Sequence, residues 1–384
     1  MILEIFLARK TLALLTILFS AALISGSWVA FYKLNPQNNQ NKVVLSAKTF
    51  QKPTPSPAVI PSPTRILSTS SSPTPTTTSP NRSVMLGMWT QGFWDEKSRT
   101  LHPENLLTVE QKVGKHMAIA HYYLGWETLG NQSIIPQLQE IVKNGWRPMV
   151  SANPYFFDSC PANGKTLYKA IANGNCDAFL HSVGRTLKQF GMPILLRFAW
   201  EMNIDSISWS VKKTGDNSTD FTSAWKHFRD IVNSEGATNV LWVWSPNTMT
   251  STSVPYGDLY PGNAYVDWTG LDGYNWGTTQ PWSYWRSFSE IFSQSYNALV
   301  SLAPNKPLML GEVNTTNVGG DKSLWYTDML SAQIPLNFSH IKAIVFYNED
   351  RTSQENVNWL IDINQPSLSA FSKGINNPIY VSSF

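Results

Sequence analysis

The sequence predicts an α/β protein built as a closed barrel of eight parallel strands, the (β/α)8 or TIM fold. Three observations lead there. Short apolar runs follow one another from Val84 to Tyr347, most of them separated by helix-like segments. Alternation of that kind implies parallel strands joined by right-handed crossovers. The stretch that carries them, 83–384, has about 300 residues, a usual size for one such barrel. Two of the runs lead into a glutamate, and a carboxylate at the end of a buried strand is costly to desolvate unless it has a task.

The apolar runs are Val84–Trp89, Met117–Leu124, Arg147–Ala152, Ile194–Trp200, Val240–Trp244, Trp268–Tyr274, Pro307–Gly311 and Ala343–Tyr347. Runs this short read as strands covered on both faces. The helix-like segments are Glu104–Gly114, Gln132–Asn144, Cys176–Phe190, Thr219–Ser234, Tyr284–Leu302, Lys322–Ala332 and Ser367–Lys373. The fifth strand is followed mainly by loop, Asn247 to Asn263. A doubly wound open sheet would also alternate in this way, but no G-x-G-x-x-G turn follows the first strand.

Residues 1–33 read as a signal-anchor or a signal peptide. Arg9 and Lys10 precede an uncharged apolar stretch, Thr11 to Phe31. Residues 34–82 are polar and then rich in Pro, Ser and Thr, a composition that buries no core and reads as a disordered linker. The region 83–384 is therefore expected outside the cytoplasm, secreted or held at a membrane surface. In that compartment Cys160 and Cys176, the 2 cysteines of the chain, would oxidise to a disulfide; two free buried thiols are the alternative.

Charged residues make up only 14% of the 384, the net charge is +3, and no basic stripe forms, so nucleic acid is not an expected partner. The 6 histidines are scattered without metal-ligand spacing, and neither metal nor cofactor is expected. No G-x-S-x-G elbow supports a serine hydrolase. The 16 tryptophans are more than plain cores need; stacking on sugar rings is one use and packing the other.

The two glutamates are Glu201, closing Ile194-Leu195-Leu196-Arg197-Phe198-Ala199-Trp200-Glu201, and Glu312, closing Pro307-Leu308-Met309-Leu310-Gly311-Glu312. Residues i, i+2 and i+4 of a strand share a face, so Arg197, Ala199 and Glu201 are expected to point together, as are Leu308, Leu310 and Glu312. Arg197 would lie deeper on the face of Glu201 and favour ionised carboxyls, while two adjacent carboxyls push one pKa up. A retaining glycoside hydrolase needs that division: Glu312 ionised to attack the anomeric carbon, Glu201 protonated to release the leaving oxygen and later to activate water. Helix caps or ion pairs are the plain alternative for both glutamates.

Several segments resemble glycoside hydrolase family 26, the β-mannanase family of clan A. Leu196-Arg197-Phe198-Ala199-Trp200-Glu201-Met202-Asn203 through Trp209 is similar to its acid/base motif, and Trp242-Val243-Trp244-Ser245-Pro246-Asn247 to its fifth strand. Tyr260-Pro261-Gly262, Tyr265 to Trp268 and Leu271 to Trp276 resemble its sixth-strand region, and Lys306 to Glu312 its nucleophile strand. The resemblance, from about Val84 to Asn348, implies a (β/α)8 barrel, retaining hydrolysis of a β-linked polysaccharide, Glu201 as acid/base and Glu312 as nucleophile. It departs at Trp200, where the family usually has His, at Ile204, usually Gly, and at Phe346-Tyr347-Asn348, where a tryptophan is common. A β-1,4-mannanase is expected; other members act on mixed-linkage β-glucan or β-1,3-xylan, and a non-catalytic polysaccharide-binding barrel is the alternative from another class.

The resemblance also suggests that the Tyr274 hydroxyl bonds Glu312. Arg197 is expected at the substrate, and Asn203 either bonds a sugar hydroxyl or caps a turn. Trp209 and Trp276, in loops on the expected active face, are read as sugar platforms. Trp89 and Trp244 at strand ends, and Trp126 after the second strand, are further candidates for which packing is the alternative. The chain is expected to act as a monomer.

Overall fold

The computed structural model describes residues 82–95 and 97–384. The signal or anchor segment and all but the end of the expected linker lie outside the described residues. Among the described residues no helix is long and apolar enough to cross a membrane.

Eight parallel strands close into a barrel: β1 (Val84–Thr90), β2 (Ile119–Gly125), β3 (Arg147–Asn153), β4 (Ile194–Phe198), β5 (Val240–Trp244), β6 (Trp268–Asn275), β7 (Leu308–Thr315) and β8 (Ile341–Asn348). Each pairs with its sequence neighbour, and β8 returns to β1 with Met85 opposite Ala343 and Thr90 opposite Asn348. The alternating helices are α1 (Pro103–Val113), α2 (Ile135–Lys143), α3 (Asp177–Phe190), α4 (Ser218–Ser234), α5 (Tyr256–Leu259), α6 (Phe288–Leu302), α7 (Lys322–Asp328) and α8 (Gln365–Ile375). Two start on reciprocal capping boxes, Asn217 with Asp220 on α4 and Ser287 with Glu290 on α6, which satisfy backbone donors that the first turn leaves free.

The strands are apolar on both faces because both are covered. Ile119, Met149, Leu195, Val243, Met309 and Val345 fill the barrel interior. Leu86, Leu196, Trp242 and Leu310 point the other way, into the larger core shared with the helices. At the N-terminal end of the barrel, Phe384 lies beneath the Arg147 guanidinium (4.1 Å to the ring centre) and beside Trp268. The opposite end, formed by the C-terminal ends of the strands, is the face on which barrels of this kind carry their chemistry.

Two local features correct the sequence reading. First, β4 stops at Phe198, because Ala199 (φ 48°) and Glu201 (φ 55°) adopt the left-handed conformation and the chain turns. Glu201 is therefore aimed by a turn, pinned where its N–H donates to the Ser245 carbonyl (2.7 Å), and not by strand alternation. Second, Leu308, Leu310 and Glu312 do not share a face: Leu308 and Leu310 belong to the helix-facing core, whereas Met309 lies inside the barrel. Strict alternation would send Glu312 outward. The register slips instead, with Leu271 opposite Leu310 and then Asp272 opposite Glu312, so Gly311 is an extra residue in β7. That bulge re-aims Glu312 into the barrel mouth. A Cβ at Gly311 would stand 2.6 Å from the Asp272 carboxylate and 2.9 Å from the Ser245 hydroxyl, which is why glycine fits there.

A smaller difference is in α7. The expected helix Lys322–Ala332 continues through a π-helical turn, Met329–Gln333, into Ile334–Asn337.

Cys160 and Cys176 form a disulfide in the segment between β3 and α3, with a sequence separation of 16. Closing a loop of that length restricts the unfolded chain by about 3 kcal/mol. Replacing both cysteines with serine should lower the unfolding free energy by about that amount in chemical denaturation, with the denaturant slope little changed.

Candidate active site

The centre of the site is Arg197, which lies near the end of β4 with its side chain fully buried. Its Nη1 donates to the Gly311 carbonyl (3.3 Å), and Nη2 donates both to Asp272 Oδ2 (2.8 Å) and to Glu312 Oε1 (2.5 Å). These contacts tie β4 to β6 and β7. The anions around it hold Arg197 firmly protonated, despite burial. Its guanidinium also stands 5.3 Å from the Trp200 ring centre, a cation–π distance.

Glu312 is gripped at both oxygens, since Tyr274 donates its hydroxyl to Oε2 (2.5 Å) while Arg197 holds Oε1. Burial raises the pKa of Tyr274, and proximity to Glu312 raises it further, so the phenol stays a donor. Asp272 accepts from Ser245 Oγ (3.0 Å) as well as from Arg197; burial pushes its carboxyl up against the pull of that cation.

Glu201 has no such cation in contact. Its Oε1 accepts from Asn247 Nδ2 (2.5 Å), and it is 6% exposed. Burial is the largest effect on it, the charge of Glu312 adds to that, and the Asn247 bond opposes both; together they push its pKa up to about 8. One carboxyl thus sits between a cation and a phenol, and the other keeps its proton at neutral pH.

A supporting layer fixes these groups. Asn203 is fully buried and exchanges two bonds with the Asn247 backbone, Nδ2 to O (2.9 Å) and N to Oδ1 (2.8 Å). Both ends of its amide are spent on positioning Asn247, which corrects its reading as a sugar ligand. Trp209 donates from Nε1 to the Trp200 carbonyl (2.6 Å), its ring 4.4 Å from that of Trp200. Being 9% exposed, it braces the turn more than it offers a platform. Trp89 is similarly covered, edge-on to Tyr123 and bonded to Glu349 (3.1 Å).

Two tryptophans leave the site altogether. Trp126 packs among Phe157, Phe179, Phe198 and Phe228, between barrel and helices. Trp244 donates to the Leu259 carbonyl (3.1 Å) and meets Tyr256 and Tyr260 at the α5 segment. Both are wholly buried, so their readings as substrate contacts are corrected to packing. Trp276 alone of the expected tryptophans keeps a partly open ring, beside Tyr274 and Trp359. His121 is buried against Ser151 (2.7 Å), and burial with the nearby Arg197 lowers its pKa, so it stays neutral.

Sequence reasoning marked Trp200 only as a departure from the family pattern, gave no role to Asn247 or Trp359, and missed the charged group after β8. Arg351 there bonds Glu349 and Glu355, and Glu355 adds to the field that raises Glu201. The signal was available: Asn247, Glu349 and Arg351 are polar residues directly beyond strand ends, where a barrel places its functional groups.

A barrel that sets an ion-paired carboxylate opposite a protonated one at the C-terminal rim has the layout of a glycoside hydrolase. The family model of glycosyl hydrolase family 26 matches residues 150–325, a stretch holding both Glu201 and Glu312. Endoglucanase H of Acetivibrio thermocellus is 32% identical over 300 residues, covering 77% of this chain and 31% of that protein. A mannan endo-1,4-beta-mannosidase of Bacillus subtilis is 28% identical over 234 residues, covering 53% and 59%. The chain thus spans less than two thirds of the length of these curated relatives. In fold it is similar to the catalytic domain of an endo-β-1,4-mannanase from Bacillus sp. JAMB-750, with TM-score 0.59, 17% identity and coverage of 78% of this chain and 87% of that one. The β-mannanase of Bacteroides ovatus gives TM-score 0.56 at 17% identity, covering 78% and 90%.

A carboxyl raised from 4.5 to about 8 binds a proton in the folded state that the unfolded chain gives up. Its contribution to stability is therefore complete below pH 4.5 and lost as pH rises through about 8. Glu201→Gln should remove that loss, so the stability difference between variant and wild type grows in favour of the variant across this range. Denaturation at a series of pH values measures it, and a difference independent of pH would contradict the assignment.

Proposed function

We propose that the barrel is a retaining endo-β-glycanase that hydrolyses β-1,4-mannosidic linkages in mannans by double displacement. The observation that carries the chemistry is the unequal treatment of two carboxyls on one rim: Glu312 held by Arg197 and Tyr274, Glu201 pushed up to about 8. The match to the family 26 model and the likeness to a mannan endo-1,4-beta-mannosidase support the substrate class.

In the first step a Glu312 oxygen forms a bond to the anomeric carbon while the glycosidic C–O bond breaks, and Glu201 gives its proton to the departing oxygen. In the second, Glu201, now a carboxylate, takes a proton from water. The water oxygen bonds the anomeric carbon, and Glu312 leaves as carboxylate with Glu201 reprotonated. Tyr274 and Arg197 steady the nucleophile in both steps. Asn247 keeps Glu201 aimed.

A β-1,3-1,4-glucanase is the second reading, supported by the likeness to Endoglucanase H and by Trp200, which stands where the family usually has His. The same proposal places the enzyme outside the cytoplasm, secreted or anchored through residues 1–33, and acting as a monomer on a polysaccharide. The uncharged stretch from Thr11 to Phe31 and the Cys160–Cys176 disulfide support the location.

Incubation with galactomannan, lichenan and β-1,3-xylan, with products followed by anomeric proton NMR, tests the reading. Cleavage of galactomannan with retained configuration is expected, and Glu201→Ala and Glu312→Ala should each lose activity by a factor on the order of 10⁴. Preference for lichenan selects the second reading. Inversion, or full activity in either variant, contradicts the mechanism.

A further inference from the structure

The largest exposed side chains of the described residues include two on one loop, Trp282 (68% exposed) and Tyr284 (66%). That loop follows β6, the strand that carries Asp272 and Tyr274. A row of rings links it to the nucleophile: Tyr274, bonded to Glu312, lies 6.3 Å from Trp276, and Trp276 lies 5.4 Å from Trp282. These steps are comparable to the size of a sugar ring, and the row runs outward from the site to solvent.

The loop is held in place. Asn275 Oδ1 accepts from the backbone N–H of Gly277 (3.2 Å) and of Arg286 (3.1 Å), tying the two ends of the loop together. Gln280 donates to the Glu355 carbonyl, and Asn356 donates to the Thr279 carbonyl (3.1 Å), joining the loop to the segment after β8. An indole 68% exposed on a fixed loop, in line with the site, is a preorganised platform.

We propose that Trp282 is a distal sugar platform, stacking on a ring of the β-linked polysaccharide beyond the one that meets Glu312. The occupant follows from continuity: any linear glycan threaded past Tyr274 and Trp276 meets Trp282 next, and an indole face suits the apolar C–H face of a pyranose. The inference rests on the reading of the barrel as a β-glycanase. It separates Trp282 from Trp126 and Trp244, which are buried.

The test compares Trp282→Ala with wild type on polysaccharide and on an aryl β-disaccharide too short to reach the loop. The ratio of kcat/KM for polymer to that for the short substrate should fall about tenfold, and Trp282→Phe should recover most of it. Native electrophoresis through gels containing the polysaccharide reads binding without turnover: wild type should be retarded and Trp282→Ala should migrate more nearly as in a blank gel. An unchanged ratio, whether both substrates stay equal or fall together, overturns the proposal, as does retardation equal to wild type. A wild type that cleaves none of the glycans counts against the proposed activity, and the gel then still decides for or against Trp282.

Discussion

The site depends on one buried cation. A guanidinium wholly removed from water must be matched by anions and carbonyls, because a buried charge left alone costs several kcal/mol, on the order of 3–5 when a partner is lost. Arg197 meets that demand through Gly311, Asp272 and Glu312, which lie on two other strands. The demand sets the relative depth of β4, β6 and β7. It also distributes charge: Asp272 and Glu312 touch the cation, while Glu201 has a neutral amide in its place. Burial beside the negative Glu312 then keeps the proton on Glu201. Acid and nucleophile differ because one arginine reaches only one of them.

The surroundings keep that asymmetry in register. Ala199 and Glu201 hold left-handed backbone that costs each of them about 1–2 kcal/mol, and the turn persists because Trp200, Trp209, Asn203 and Ser245 fix it from several sides. On the opposite wall, Asn314 donates to the carbonyls of Tyr347 and Trp359 (2.6 Å each), and Trp359 in turn packs on Tyr274 (4.8 Å between ring centres). Glu312 is therefore supported through Tyr274 and Trp359 by a residue two positions further along its own strand.

The barrel was legible because parallel strands covered on both faces must be apolar throughout, and Ile194 to Phe198 or Val240 to Trp244 can hardly be read otherwise. The identity of Glu201, Glu312, Arg197 and Tyr274 as neighbours was legible too. Their aim was not. Period-2 alternation put Glu312 on the face of Leu308 and Leu310, and only the Gly311 bulge, a register event set by β6, turns it inward. The tryptophans were hardest to place. An indole after a strand end has the same sequence signature whether it faces helices, as Trp126 does, or solvent, as Trp282 does, and the difference lies in which helix packs over it. Asn203 illustrates the same limit: its partner, Asn247, is distant in sequence and contributes mainly backbone atoms to the contact.

The central claim is that Glu201 stays protonated at neutral pH because it is buried beside a negative Glu312. NMR titration of protein carrying ¹³C-labelled glutamate side chains, with the Glu201 signal assigned by its loss in Glu201→Gln, reads this directly. The account predicts a Glu201 carboxyl titrating at about 8 in the wild type and moving down in Glu312→Gln, where the neighbouring charge is gone. A Glu201 signal in the ordinary carboxylate range, or one indifferent to Glu312→Gln, would contradict it.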